Sequence, residues 1–368
     1  MAINCGIVGL PNVGKSTIFS ALCSEPAEAA NYPFSTIVPN IGIVDVPDER
    51  LLRLSAIFSP KRTIHTTVEF VDISGLKKGS SKGEGLGNQF LSHIREVGVI
   101  AHVVRCFDDP DVAHVSDRVD PAADIETINV ELALADLETL AKRRERAQKS
   151  LKSKADQKAA EAVLAVLDKI EGALETGRPI RSVDLSSDEK AAIYDCHFIT
   201  AKPQIYVLNA DDPEMKGATA GYVAAARKVA EDEGARAVTI FGKLEAELGA
   251  IDDPEEKLAF LKELGLSEPS LPQLIRAAYD LLGLRTFFTT GEDECRAWTI
   301  PAGAPAPKAA RAIHTDFERG FIKADVYTCE DIFQHGSEAK IKLAGKYRIE
   351  GKEYVVQDGD VIFFKFNV

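Results

Sequence analysis

The sequence lacks several features that would assign it quickly to a class. Its six cysteines are scattered without a C-x-x-C pair, so neither a zinc site nor a disulfide scaffold is indicated. No uninterrupted apolar run approaches the ~18 residues that a membrane-spanning helix needs, and no basic region precedes the apolar stretch in the first ten residues. We therefore expect a soluble protein of the reducing cytoplasm, without a membrane partner.

Basic residues are also fewer than acidic residues. The chain has 44 Lys+Arg against 57 Asp+Glu, a formal net charge of -13, which argues against a protein that coats nucleic acid over its whole surface. Residues 142–158 invert this balance, with eight basic residues against Glu145 and Asp156. Such a segment is typical either of a solvated helix tip or of a contact with a phosphate backbone, for which RNA is the expected partner.

The apolar pattern predicts an α/β fold. A length of 368 residues corresponds to two to three domains at ~150 residues each. Short β-rich runs alternate with helix-compatible sequence, and this alternation predicts a mostly parallel sheet with helices on both faces. The domain is expected to comprise 1–123 and 202–282. The predicted strands lie at 3–10, 41–46, 66–73, 99–106 and 204–208.

The intervening segment, 124–201, has a different pattern. Strand-like runs are missing, and apolar residues recur at steps of three and four, which predicts a helical hairpin inserted in the sheet domain. Its bend is expected around 152–158. Ser186 and Glu189 have the spacing of a capping box and predict the start of a further helix that leads back to the sheet.

The last part, 283–368, is predicted to form a small β-rich domain. Prolines interrupt its start, and strand-like runs follow, with one at 354–356 and another at 361–366. Asp358 and Gly359 between them are typical of a turn. No repeat of the length expected for a solenoid is visible.

The strongest motif lies near the amino end. Residues 9–16, G-L-P-N-V-G-K-S, satisfy G-x-x-x-x-G-K-[ST] between a predicted strand and a predicted helix. Glycines allow backbone N–H groups to surround phosphate oxygens, and the helix directs its positive end at the same charge. Lys15 is expected to neutralise the β- and γ-phosphates, and Ser16 to bind Mg²⁺. The expected nucleotide contacts of this loop are Asn12, Val13, Gly14, Lys15, Ser16 and Thr17.

Two further elements are expected to complete the phosphate site. Asp72 and Gly75 form D-x-x-G at the end of a predicted strand, where Asp72 can hold the Mg²⁺ shell and the Gly75 N–H can approach the γ-phosphate. Thr36 follows the first helix and is a candidate second hydroxyl for the metal, although an ordinary loop threonine is equally compatible with its spacing. The glycine-rich stretch 77–90 lacks a core pattern and is interpreted as a switch region.

These motifs together resemble one known family. The sequence is similar to the Obg-like ATPase (YchF) subfamily of translation-factor-class P-loop NTPases over nearly its whole length, in GLPNVGKST, NYPFSTIVPN, DISGLKKGSSKGEGLGNQF, HVVRCF and AWTIPAGAPAPKAARAIHTDFERGFIKADV. The resemblance implies a nucleotide-binding domain interrupted by a helical coiled-coil insertion and followed by a TGS domain. It also implies an ATP-hydrolysing switch that associates with the ribosome or its large subunit, with RNA contacts through the basic tip and the TGS domain.

The base-reading motif is expected after the strand at 204–208. Guanine readers use N-K-x-D, whereas this chain has Asn209, Ala210, Asp211 and Asp212. The missing lysine and the resemblance favour ATP, but related ATPases usually have glutamate where Asp212 stands. GTP therefore remains an alternative, and Asn209, Ala210 and Asp212 are the candidate base contacts.

Hydrolysis requires an oriented water, which many relatives position with a glutamine after D-x-x-G. Leu76 occupies that position here and cannot form a hydrogen bond. The resemblance implies that a loop histidine acts instead, at the position of His114, so His114 and Lys15 are the expected catalytic residues. It also implies a monovalent cation, K⁺, beside the phosphates with Asn12 nearby.

Two other functions remain open from the residues alone. A small-molecule kinase would share the phosphate loop and add an arginine-bearing lid, for which Arg50, Arg53 and Arg62 are the available candidates. An adaptor whose loops are merely ordered by nucleotide is the third possibility. Release of free phosphate without an acceptor would exclude the kinase, and unaltered interactions after mutation of Lys15 would favour the adaptor.

Overall fold

The protein, as a computed structural model, is described for residues 3–23, 40–73, 86–114 and 118–367. These residues form two compact units. The first consists of described residues within 1–25, 33–42 and 69–278, and the second of those within 43–68 and 279–368. The segment 43–68 is part of the second unit.

The elements follow one another along the chain in this order. The strands are β1 (Asn4–Gly9), β2 (Ile41–Asp45), β3 (Arg62–Ile64), β4 (Thr67–Asp72), β5 (Val99–Arg105), β6 (Gln204–Asn209), β7 (Arg236–Ile240), β8 (Leu284–Thr289), β9 (Glu294–Pro301), β10 (Phe321–Thr328), β11 (Arg348–Glu350) and β12 (Asp360–Phe366). The helices are α1 (Lys15–Leu22), α2 (Glu49–Phe58), α3 (Leu86–Glu96), α4 (Pro121–Ser150), α5 (Gln157–Glu175), α6 (Ser187–Ala192), α7 (Gly217–Asp232), α8 (Gly242–Gly249), α9 (Pro254–Glu263), α10 (Leu271–Leu281), α11 (Ala306–Ile313), α12 (Thr315–Arg319), α13 (Cys329–His335) and α14 (Glu338–Leu343).

The first sheet has the strand order β2-β4-β1-β5-β6-β7, and β4, β1, β5, β6 and β7 pair in parallel. Each of the five predicted strands is present, so the α/β prediction is confirmed. The register places Ile7 beside Asp72 and Arg105 beside Asn209. Because parallel strands end at the same edge, the residues that follow β1, β4, β5 and β6 are brought together there.

The predicted helical hairpin is also confirmed. Helices α4 and α5 are joined by a bend at 151–156 and bury an apolar core between them. The Arg144 guanidinium crosses the hairpin to Glu171 and Asp168, with N–O distances of 2.6 and 2.7 Å. The capping box at Ser186 and Glu189 is formed and begins α6.

A buried polar cluster fastens the base of this hairpin to the parallel sheet. The Glu233 carboxylate accepts hydrogen bonds from Arg181 (2.5 Å), Tyr206 (2.6 Å) and Asn129 (2.6 Å). His102 on β5 lies against Tyr206, with ring centroids 5.4 Å apart. These residues come from α4, β5, β6, the end of α7 and a short turn, so the cluster ties the insertion to the centre of the sheet.

His102 gives this cluster a defined pH dependence. Burial, assisted by the Arg181 guanidinium, lowers the pKa of His102 to about 3. A histidine whose pKa is lowered on folding stabilises the fold above its unfolded value of about 6.5, and this contribution is lost as the pH falls from there toward 3. We expect urea unfolding to show a steeper loss of stability between pH 7 and 5 for the wild type than for His102→Gln. Parallel pH profiles would contradict this assignment.

The second unit contains a mixed sheet in the order β11-β10-β12-β8-β9-β3. Strand β3 joins it in parallel with β9, and Leu51 and Leu54 of α2 are buried in the same apolar cluster as Phe288 and Cys295. The predicted turn at 358–359 and the following strand are confirmed as well.

The predicted strand at 354–356 forms only an isolated bridge between Val355 and Pro305. The physical reason is that α11 begins at Ala306, which ends the partner segment after one bridge. Two backbone hydrogen bonds, from Ala306 N to Tyr354 O (2.7 Å) and from Val356 N to Ala304 O (3.0 Å), are all that the pairing retains.

Among the described parts of the chain, none of the helices is long and apolar enough to cross a membrane.

Candidate functional site

The loop between β1 and α1, residues 10–14, is the candidate phosphate cradle and contains left-handed backbone. Asn12 and Gly14 have φ angles of 63° and 88°, in the left-handed region where glycine is favoured. A Cβ added at Gly14 would collide with the side-chain amide of Asn209. Both constraints explain why this position requires glycine, and they place the loop directly beside the end of β6.

Asn209 holds three parts of the site together. Its Nδ2 donates to the Val13 carbonyl oxygen at 2.9 Å, and its Oδ1 accepts from the Gly242 N–H at 3.1 Å. The side chain therefore joins the loop before α1 to the end of β6 and the start of α8. Asn209 is a predicted base contact, and its side chain braces the protein around the site.

Lys15 and Asp72 form an ion pair at the carboxyl edge of the sheet, with side chains 12% and 16% exposed. Their proximity follows from the register of β1 and β4. A phosphate group can replace Asp72 as the partner of Lys15, and a divalent cation can replace Lys15 as the partner of Asp72. Ser16 and Thr17 are exposed in the first turn of α1, where backbone N–H groups favour an anion.

The donor set fits Mg²⁺. Within residues 3–23, 40–73, 86–114 and 118–367, no cluster of three or more His, Cys, Asp or Glu could hold a metal by itself. Ser16 and Asp72 supply one hydroxyl and one carboxylate, and Mg²⁺ takes few protein ligands because phosphates and waters supply the remainder. The expected contributions of Thr36 and Gly75 lie outside the described residues.

Arg105 organises the loop that follows β5, a role that the sequence pattern did not reveal. The residue is 2% exposed, and its guanidinium donates to the carbonyl oxygens of Phe107 (3.1 Å), Val112 (2.9 Å) and Asp109 (3.3 Å). The sequence signal was an arginine at the end of a mostly apolar strand. Three hydrogen bonds from one rigid group brace residues 107–112 against the end of β5.

The same loop reaches the phosphate cradle. Asn12 Nδ2 donates to the Ala113 carbonyl oxygen at 3.1 Å, which places His114 one residue beyond a direct contact with the loop before α1. His114 Nε2 lies 3.0 Å from Asp124 Oδ2, and the two side chains are 5% and 6% exposed. Burial raises the pKa of Asp124, although the hydrogen bond with His114 opposes this effect.

The residues after Asn209 are placed differently from one another. Ala210 is 2% exposed within an apolar core cluster, and its N–H donates to Ile240 O at 2.9 Å. The Asp212 carboxylate accepts from the backbone N–H groups of Glu214 (2.8 Å) and Lys216 (3.2 Å). The Ala210 side chain is thus part of the apolar core, whereas Asp212 is a carboxylate held in its own loop.

Comparison with known proteins agrees with this geometry. Residues 4–131 match a family model described as "50S ribosome-binding GTPase", and residues 284–367 match the YchF-GTPase_C model, described as "Protein of unknown function (DUF933)". A protein of Pasteurella multocida named "Ribosome-binding ATPase YchF" is 52% identical, with all of both chains covered. The chain belongs to the YchF family. A Bacillus subtilis YchF with the same name is also 52% identical over 100% of both chains.

The fold of the YchF family is known from the solved structure of a relative. The structure of the Schizosaccharomyces pombe YchF GTPase is 38% identical to this chain, with a TM-score of 0.87, and covers 99% of this chain and 97% of its own. The resemblance found in the sequence and the predicted fold class are therefore confirmed. The printed names of these YchF proteins differ in one respect, since the bacterial relatives are named ATPases and the fission-yeast protein a GTPase.

Membership of the YchF family does not favour the kinase alternative, and neither do the three arginines proposed for a lid. Arg50 pairs with Asp48 and Asp358, and the Arg62 guanidinium pairs with Glu294. Arg53 lies over the Phe333 ring at 3.7 Å from its centroid. All three are engaged by partners within the second unit.

Proposed function

We propose that this chain is an ATP-binding and ATP-hydrolysing switch of the cytoplasm that associates with the ribosome, and with its large subunit in particular. The observation that carries the proposal is the pairing of Lys15 with Asp72 beside a glycine-containing loop, in a chain that is 52% identical over its full length to relatives named "Ribosome-binding ATPase YchF". The pair provides one positive and one negative group where a Mg²⁺-triphosphate needs both.

Nucleotide binding is assigned to the cradle. The backbone at Asn12, Val13 and Gly14 and the first turn of α1 surround the phosphates, and Lys15 neutralises the β- and γ-phosphates. Ser16 and Asp72 hold Mg²⁺, whose chemistry is to offset charge on the phosphate oxygens. Thr17, Gly75 and Thr36 belong to the same proposed site, as do Asn209, Ala210 and Asp212 near the base.

Hydrolysis is assigned to His114 and Lys15. His114 orients the attacking water or accepts its proton, and Lys15 stabilises negative charge on the transferred group. Asn12 connects the cradle with the loop that carries His114, because its side chain donates to the Ala113 carbonyl oxygen. A K⁺ ion beside the phosphates, with Asn12 nearby, is part of the proposal.

GTP is the second candidate substrate, and one observation favours it. Asp212 has the carboxylate that guanine sites use, and it is held by two backbone N–H groups. The absence of a lysine side chain at Ala210 argues the other way, since an N-K-x-D motif uses that side chain to cover the base.

Ribosome association is assigned to two surfaces. The basic helical tip, 142–158, is proposed to contact RNA, together with the TGS domain at 283–368. We retain the three-part division as a proposal, with nucleotide-binding parts 1–123 and 202–282 and a coiled-coil insertion at 124–201. Exposed lysines at the bend are the groups available for phosphate contact: Lys152, Lys154 and Lys158.

One experiment tests the proposed function. Calorimetric titration with ATP and GTP, followed by phosphate release with and without ribosomes, is expected to show tighter ATP binding and acceptor-independent hydrolysis. The assay is run in potassium and in sodium salts, and faster turnover in potassium is expected. Tenfold tighter binding of GTP would reverse the choice of base, equal rates in both salts would remove K⁺, and failure to bind either nucleotide would reject the proposal.

A further inference from the structure

We infer that Asp124 is a positioning residue for hydrolysis, because its carboxylate fixes the ring of His114 and selects its tautomer. The inference rests on the proposed function, since it concerns the same reaction. The Nε2–Oδ2 distance is 3.0 Å. An ionised carboxylate accepts a hydrogen bond and cannot donate one, so Nε2 carries a proton in this contact.

Asp124 is itself held in place. It lies in the first turn of α4, where Asp120 caps the helix by accepting from the Ala123 N–H at 3.2 Å, and Pro121 begins the helix. The Asp124 N–H donates to the Asp120 carbonyl oxygen at 2.9 Å. A capped first turn has little freedom, so the carboxylate is presented to His114 from a rigid element.

His114 is constrained from the other side as well. Arg105 fixes the preceding loop through three carbonyl groups, and Asn12 fixes Ala113 to the cradle. The imidazole therefore lies at the end of a loop attached to the phosphate cradle and is oriented by the first turn of the inserted hairpin. A base oriented by a buried carboxylate is a recurrent arrangement in hydrolytic sites.

Several charged groups surround this pair. Asp124 is influenced by His114, by the Asp120 carboxylate and by the Arg105 guanidinium, and it acts in turn on the Cys106 thiol, whose pKa burial raises to about 12. Removing the charge of Asp124 takes away the anion in contact with the ring. The ring then loses the charged acceptor that holds its orientation, and kcat falls.

The test is Asp124→Asn in the full chain. We expect kcat for ATP hydrolysis to fall about 10–100-fold, with ATP affinity unchanged by calorimetry. Asp124→Glu, which keeps the charge, is expected to recover part of kcat. Asp120→Asn is the matched control, because it removes a carboxylate from the same helical turn while asparagine still caps the helix, and kcat is expected to stay near the wild-type value.

The outcomes separate this inference from the proposed function. If the wild type does not hydrolyse ATP, the proposed function fails. If the wild type hydrolyses ATP and Asp124→Asn has the wild-type kcat, the role of Asp124 is refuted. If Asp124→Asn does not fold, Asp124→Glu decides, because an ATP affinity that falls in parallel with kcat would indicate a purely structural role and overturn the inference.

Discussion

Replacing His114 with alanine is expected to lower kcat for ATP hydrolysis by about 10²–10⁴-fold, the range for loss of an acid–base group. The nucleotide affinity is expected to remain nearly intact. The reason is the division of roles in the site: the cradle consists of backbone groups with Lys15 and Ser16, whereas His114 contacts Asp124 at the start of α4. Single-turnover phosphate release measures the first quantity, and calorimetric titration with ATP measures the second.

A histidine of the second unit provides the control for this experiment. His335 lies in the last turn of α13 in the second unit, and His335→Ala is expected to leave both quantities unchanged. Unaltered turnover in His114→Ala would remove His114 from the mechanism. A parallel loss of affinity would instead indicate that His114 helps to shape the cradle.

Charge reversal at the bend of the hairpin is expected to have the second large effect. The variant Lys152→Glu, Lys154→Glu and Lys158→Glu should weaken association with large ribosomal particles about tenfold or more at physiological salt, because lysines that neutralise phosphates release counterions. The dependence of affinity on salt should also become shallower, with a log–log slope smaller by roughly one for each phosphate that the variant no longer neutralises. Sedimentation with purified subunits at several salt concentrations measures both changes.

The choice of these lysines follows from the structure. Arg143 pairs with Asp195 at 3.2 Å, and Arg144 with Asp168 and Glu171, so reversing either arginine would disrupt the hairpin as well as any RNA contact. The matched control reverses three exposed lysines of the first unit away from the bend: Lys190, Lys228 and Lys262. Equal losses in the two variants would point to net charge and would reject the bend as the contact.

Much of the first unit could be predicted from the sequence because its signals are local. A buried parallel strand has a mostly apolar run, as in 99–106, where His102 and Arg105 are the exceptions. The loop motif at 9–16 indicates a strand before it and a helix after it. The capping box of Ser186 and Glu189 could be predicted because its two residues are only three positions apart in the sequence. The bend of the hairpin followed from a polar stretch, 152–158, between two periodic apolar patterns.

The remaining features depend on contacts between residues distant in the sequence. Strand β3 has three residues, and it pairs with β9 more than two hundred residues later, so no local pattern marks it as part of the second unit. The burial of Ala210 is set by the surrounding core. Arg105 donates to three backbone carbonyl groups, and an interaction with backbone leaves no sequence trace in the partners.

The length of α4 has a mechanical consequence. Its 30 residues extend over ~45 Å at 1.5 Å per residue. If the helix pivots at its first turn, a tilt of ~5° displaces the far end by ~4 Å over that length, while Asp124, close to the pivot, barely moves. Tilting of the hairpin about this pivot would therefore leave the imidazole of His114 nearly in place. Only a displacement of the first turn of α4 itself would move it.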